Sequence, residues 1–177
     1  MLNKPAGYVV TRSDELSRET VYALLPAQAA QLRYAGRLDK GSEGLLLFTN
    51  DGDLINRLTH PTRKVEKVYR VQIDRRLSKN DLQTLRQGVN IEGGRTLPAG
   101  VFVKSSRENG MTLKLVIREG RKRQIRQMLT AVGAKVLHLK RLQFGPLALK
   151  DLPPGRWRYL TPGELRALRQ ATEPLSQ

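Results

Sequence analysis

Gly36-Arg37-Leu38-Asp39-Lys40-Gly41-Ser42-Glu43-Gly44 runs directly into Leu45-Leu46-Leu47-Phe48-Thr49 and then into Asn50-Asp51-Gly52. The first block is a polar loop punctuated by glycine. The second is an apolar run of the length of a buried strand. Asn50, Asp51 and Gly52 make a turn that can cap a helix over Asp53 to Thr59, which His60-Pro61 ends. This succession places Asp39 on a short loop at the rim of a core, where rigid scaffolds carry their catalytic groups. Position alone also allows a plainer role, in which Asp39 caps its own turn with Lys40 and Gly41.

Working outward, Gly7-Tyr8-Val9-Val10-Thr11 is β-branched and aromatic and predicts a strand. Thr20 to Leu25 predicts a short helix stopped by Pro26. Lys67 to Ile73 alternates, with Tyr69, Val71 and Ile73 on one face and Arg70 and Gln72 on the other. Ser78-Lys79-Asn80-Asp81 starts a helix that runs to about Gln87 and stops at Gly88. Val101-Phe102-Val103 and Met111 to Ile117 flank an Asn109-Gly110 hairpin turn. Residues 122–132 predict a helix and 135–144 a long strand. A short strand around Trp157 and a helix from Pro162 to Leu168 follow. Half-wet alternation of this kind suits an antiparallel sheet with helices on one side, so the expected class is α+β with a mainly antiparallel sheet. No internal repeat or low-complexity linker interrupts it.

The chain has 177 residues, which favours one domain or two tightly fused halves of one. Its 39% hydrophobic content is enough for a packed core. Lys and Arg number 32 against 16 Asp and Glu, a formal charge of +16. Such an excess repels itself in a compact globule unless a polyanion sits beside it, and nucleic acid is the first candidate. A membrane surface is the weaker one, because no stretch is long and apolar enough to span a bilayer and none reads as a basic amphipathic anchor. There is no cysteine, which excludes disulfides and thiolate metal sites. No signal peptide opens the chain, so the cytoplasm is the expected location. Aromatic residues, at 5%, are too few for a domain built on stacking platforms.

The helix expected at 122–132 carries Ile125, Met128, Leu129 and Val132 as one apolar stripe. Around its start lie Arg121, Lys122, Arg123 and Arg126. Cations there oppose the helix dipole, whereas an incoming phosphate would suit both the charges and the free N–H groups. Arg126 follows core-facing Ile125 and so lies at the edge of the stripe, where an arginine needs a carboxylate partner; Asp39 is the candidate. Tyr69 points inward with Val71 and Ile73 and reads, by itself, as a core tyrosine. His60 and His138 lack metal-pair spacing and read as structural, and Trp157 reads as core. Asp51 and Asp53 sit in a capping turn, so a two-metal nuclease is poorly supported.

The quoted loop, from Gly36 through Leu46 and on to Thr49-Asn50-Asp51-Gly52, strongly resembles the catalytic motif of ribosomal-RNA pseudouridine synthases. Three more matches come in the expected order. Leu2-Asn3-Lys4-Pro5 with Gly7 looks like the family's opening strand. Lys67-Val68-Tyr69-Arg70-Val71 resembles its tyrosine motif. Glu119-Gly120-Arg121-Lys122-Arg123-Gln124-Ile125-Arg126-Gln127-Met128 resembles the third. Leu97-Pro98-Ala99-Gly100 and the stretch around Arg141, Phe144 and Gly145 also fit. Together they span nearly the whole chain.

The resemblance implies a bent, mainly antiparallel mixed sheet with flanking helices and a central basic cleft, in a single catalytic domain whose two halves share the sheet. It implies that Asp39 is the essential carboxylate, Arg126 its ion-pair partner, and Tyr69 the group that lies against the base and helps remove its C5 proton. Arg37 would fill the gap left when the uridine swings out, and Ile125 would line the pocket. Lys4, Lys40, Lys67, Arg121, Lys122 and Arg123 complete the expected RNA-contacting set. The reaction, an isomerisation, requires no metal and no cofactor. Many relatives carry a small RNA-binding domain before the catalytic part, and this chain is expected to lack that module, either as a member of a shorter branch or as a piece of a longer protein. The expected partner is ribosomal RNA, of the large subunit by preference, bound by a monomer. The alternative from another class is a non-catalytic ribosome-assembly protein on the same fold. A nuclease is the third, and two histidines in unrelated segments argue against it.

Overall fold

The computed structural model describes residues 1–172. They form a mixed α+β fold with four α-helices and mainly antiparallel strands, and the chain divides into two compact units. One comprises Met1–Val65 with the chain from Arg141 onward, and the other Glu66–Lys140.

The first unit is built on β1 (Leu2–Lys4), β2 (Arg33–Ala35) and β3 (Glu43–Thr49), with α1 (Gly52–Thr59) after β3. β1 and β2 both pair antiparallel to β3, with Lys4 opposite Gly44 and Ala35 opposite Leu47. The expected strand at 7–11 does not form. Gly7 turns the chain with φ +100°, and Val9 makes only a single bridge, to Thr20. Propensity at Tyr8-Val9-Val10 is local, whereas the strand that forms, Leu2–Lys4, is set by a partner some forty residues away. The helix expected at Thr20 to Leu25 is a 3₁₀ turn, Val21–Leu24. The Asp51 carboxylate caps α1 by accepting from the Leu54 N–H at 2.8 Å. Leu54 and Leu58 then pack with Ala35, Leu45, Leu47, Phe144 and Leu168 in one cluster. Each leucine or phenylalanine among them contributes about 1.5–3 kcal/mol of burial.

The second unit carries β4 (Lys67–Ile73), α2 (Lys79–Gln87), a small hairpin of β5 (Asn90–Ile91) and β6 (Gly94–Arg95), β7 (Gly100–Arg107), β8 (Gly110–Ile117) and α3 (Gln124–Ala131). β4 and β7 flank β8, both antiparallel, with Tyr69 opposite Leu115 and Val101 also opposite Leu115. The alternation anticipated for β4 and β8 is observed: Tyr69, Val71, Ile73, Met111, Leu113, Leu115 and Ile117 are buried, whereas Arg70 and Gln72 are exposed. Ser78 and Asp81 close a capping box at the start of α2.

β9 (Val136–Phe144) begins in the second unit and ends in the first, where β10 (Leu147–Ala148) pairs back onto it. Gly44 meets this strand. A Cβ there would stand 2.2 Å from the Arg141 carbonyl oxygen, and φ is +105°, so only glycine fits. α4 (Pro162–Gln170) ends the described chain, capped by Thr161 with Glu164. Trp157, expected in the core, makes one bridge to Leu2 and is 37% exposed. No helix among the described residues is long and apolar enough to cross a membrane.

Candidate active site

The first unit supplies Asp39. Its loop leaves β2 and enters β3, with Leu38 buried below, Asp39 half-buried, and Arg37 and Lys40 exposed. Lys4 braces it from within. Its ammonium donates to the carbonyl oxygens of Ser42 (2.6 Å), Pro5 (3.0 Å), Asp39 (3.2 Å) and Lys40 (3.2 Å). Gly7 N–H adds a bond to the Lys40 carbonyl at 2.9 Å, and Ser42 N–H one to the Asp39 carbonyl at 2.9 Å. Lys4 has no exposed surface, which corrects its expected place among the RNA-contacting cations. Burial pulls its ammonium down to about 8, against the pull of the Glu43 and Asp39 carboxylates. Across Gly44, the buried Arg141 donates through Nε to the Leu45 carbonyl at 2.8 Å and lies 4.9 Å over the Phe144 ring.

The second unit supplies Tyr69, Arg126 and the cations around the start of α3. Tyr69 is 7% exposed and Ile125 4%, so both belong to the packed face. Arg126 is half-buried, and its Nη1 donates to the Val136 carbonyl at 3.3 Å. Lys67 is half-buried; Lys122 and Arg123 are exposed. Arg121 behaves differently from its neighbours. Its guanidinium donates to the carbonyls of Gly93 (3.1 Å), Gly94 (2.9 Å) and Arg95 (2.9 Å) and to Glu119 Oε2 (3.2 Å). Its guanidinium is thus engaged within the chain, while 32% of the side chain stays exposed.

Two features lay beyond sequence reasoning. The β5–β6 hairpin held by Arg121 carries only the Gly93-Gly94 pair as a local signal. Glu119, buried at 8% exposure, anchors a network through Gln124 and the sequence-distant Leu97. His60 accepts from Thr62 N–H in its own turn, and His138 is exposed. Among the described residues, no group of three or more His, Asp or Glu side chains is placed to hold a metal ion.

A carboxylate on a braced loop, a buried phenol, and a guanidinium on the first turn of a helix can serve as nucleophile or base, proton acceptor and counter-ion. Comparison with known proteins gives the class of reaction. Residues 1–131 match the family model for RNA pseudouridylate synthase. The chain belongs to that family.

As a pseudouridine synthase it is an enzyme that acts on RNA. Its sequence is 41% identical over 176 residues to an uncharacterized RNA pseudouridine synthase, YtzG, of Bacillus subtilis, covering 96% of this chain and 72% of the relative. It is 36% identical over 171 residues to the ribosomal large subunit pseudouridine synthase B of the same organism, covering 96% and 70%. A crystal structure of a pseudouridylate synthase superimposes with a TM-score of 0.87 at 33% identity, covering 94% of this chain and 71% of the other. The synthase fold anticipated from the four sequence motifs is thereby confirmed.

Proposed function

We propose that this synthase converts a specific uridine of ribosomal RNA, in the large subunit, to pseudouridine, acting as a monomer in the cytoplasm. The observation that carries the reading is the similarity across 96% of the chain to a ribosomal large subunit pseudouridine synthase B. The charge of +16 supports a polyanionic substrate.

In this reading the target base leaves its helix at a cost of about a few kcal/mol. The N1–C1′ bond breaks, the detached uracil turns, and a C5–C1′ bond forms. C5 gives up its proton, and N1 gains one, so atoms balance without an oxidant or a hydrolytic water. Asp39 starts the reaction, by attack at C1′ or by removing the C2′ proton. Arg126 keeps Asp39 ionised by pairing with it. Tyr69 accepts the C5 proton. Arg37, Lys40, Lys67, Lys122 and Arg123 meet the RNA, and Ile125 lines the base pocket.

Transcripts of large- and small-subunit ribosomal RNA, treated with the protein and mapped by carbodiimide-dependent primer extension, test the target. A single new stop in large-subunit RNA is expected. A stop confined to small-subunit RNA would contradict the assignment, and binding without any stop would favour the assembly-protein alternative.

A further inference from the structure

Of the four α-helices among the described residues, three start in the usual way. Asp51, Ser78 and Thr161, in extended conformation, cap α1, α2 and α4 with their side chains. α3 does not. Its first residue follows Arg123, which sits at φ 52° and gives no side-chain cap. Yet α3 is the helix that carries Ile125 and Arg126, one and two residues after its first. Something else must fix that first turn.

The residue that opens α3, Gln124, is 3% exposed, and its amide is held at both ends. Oε1 accepts from the Arg121 N–H at 3.0 Å, and Nε2 donates to Glu119 Oε1 at 2.6 Å. The same Glu119 oxygen accepts from the Leu97 N–H at 2.8 Å, and the other oxygen pairs with Arg121 Nε. Arg121 in turn holds the hairpin carbonyls at 93, 94 and 95. Gln127, one turn further along, accepts from Glu92 N–H at 3.0 Å and donates to the Lys122 carbonyl at 2.8 Å. The hairpin, the Leu97 segment and the start of α3 therefore converge on one buried carboxylate.

We propose that Glu119 is a positioning residue for the isomerisation, locking the Asn90–Arg95 hairpin and the first turn of α3 into one rigid part that sets the placement of Ile125 and Arg126. A buried carboxylate is a poor way to gain stability alone, because apolar packing would hold the same segments at lower desolvation cost. What a fully bonded polar network adds is a single geometry. That geometry is needed here because the helix lacks the cap that would otherwise define where it begins.

The inference rests on the synthase reading, and the test separates the two. Kinetics on the ribosomal transcript are measured for wild type and for Glu119→Gln, at a temperature where both are fully folded. Glu119→Gln is expected to lower kcat by about 10- to 100-fold, the scale of a misplaced catalytic group, while KM stays within about threefold. Amide exchange at Leu97 and Arg121 is expected to accelerate in the same variant. Gln124→Met, which leaves Glu119 with Arg121 and Leu97, serves the same purpose if Glu119→Gln fails to fold. An unchanged kcat in the single variants, or a loss that appears only in KM, would overturn the positioning role. A wild-type protein that turns over no transcript would count against the synthase reading instead.

Discussion

The Lys4 ammonium donates to the main-chain carbonyl of Asp39 at 3.2 Å, from a position with no exposed surface. The same nitrogen holds the carbonyls of Pro5, Lys40 and Ser42, so the end of β1 and the turn carrying the carboxylate form one braced unit. The brace acts on the Asp39 backbone, and the residue itself stays half-exposed.

Lys4→Met keeps an unbranched apolar stem, one atom shorter, and removes every donor. Four carbonyls lose their shared partner, and the expected cost is about 1–3 kcal/mol of stability, read from urea unfolding. Activity at a temperature where the variant is folded is expected to fall by about tenfold or more, because the loop is no longer fixed. Full activity would show that the brace does not position Asp39.

The same lysine makes stability depend on alkaline pH. Burial lowers its folded value to about 8 from an ordinary 10.5. Between those values the unfolded chain holds a proton that the folded chain has released, so its contribution to stability rises with pH in that window. Below about pH 8 both states are protonated, and the penalty of burying the charge is present in full. Wild-type stability minus that of Lys4→Met should therefore climb between pH 8 and 10.5. A flat or falling difference would mean the ammonium keeps its ordinary affinity for protons.

Tyr69→Phe separates packing from chemistry. The ring is 7% exposed and faces Leu115 across the strand pair, so the phenylalanine variant should unfold within about 1 kcal/mol of wild type. If the hydroxyl takes part in moving the C5 proton, turnover should drop about 100-fold or more. Turnover near the wild-type rate would return Tyr69 to the core.

A pair of cations and a single arginine near α3 should respond differently to salt. Lys122→Ala with Arg123→Ala removes exposed charges and should reduce the slope of log affinity for RNA against log salt by about one to two units. Arg121→Ala should leave that slope nearly unchanged and lower Tm, because its guanidinium holds the hairpin. The opposite pattern would place the phosphates at Arg121.

What the sequence made legible was local. The caps at Asp51, Ser78 and Thr161 bond three residues ahead, and β4 and β8 alternate, so helix starts and strand faces can be read within a short window. The catalytic candidates were visible through motif order. What stayed hidden depends on distant partners. Leu2–Lys4 has little strand propensity, so only its resemblance to the family's opening strand marked it, while Tyr8-Val9-Val10 has the propensity and no ladder. Lys4 and Arg121 look like surface cations in one dimension, and only the fold shows their donors turned onto carbonyls. Trp157 has the composition of a core residue, but its segment, bonded along Met1–Asn3, leaves it 37% exposed.

Tritium release from ribosomal RNA labelled at uridine C5 tests the central claim most directly, with wild type and Asp39→Asn compared at matched RNA saturation. Release by wild type is expected, together with none by Asp39→Asn, whose RNA affinity should stay within about tenfold of wild type since the variant keeps every cation. Release by Asp39→Asn at the wild-type rate would contradict the claim that Asp39 is the carboxylate on which the isomerisation depends.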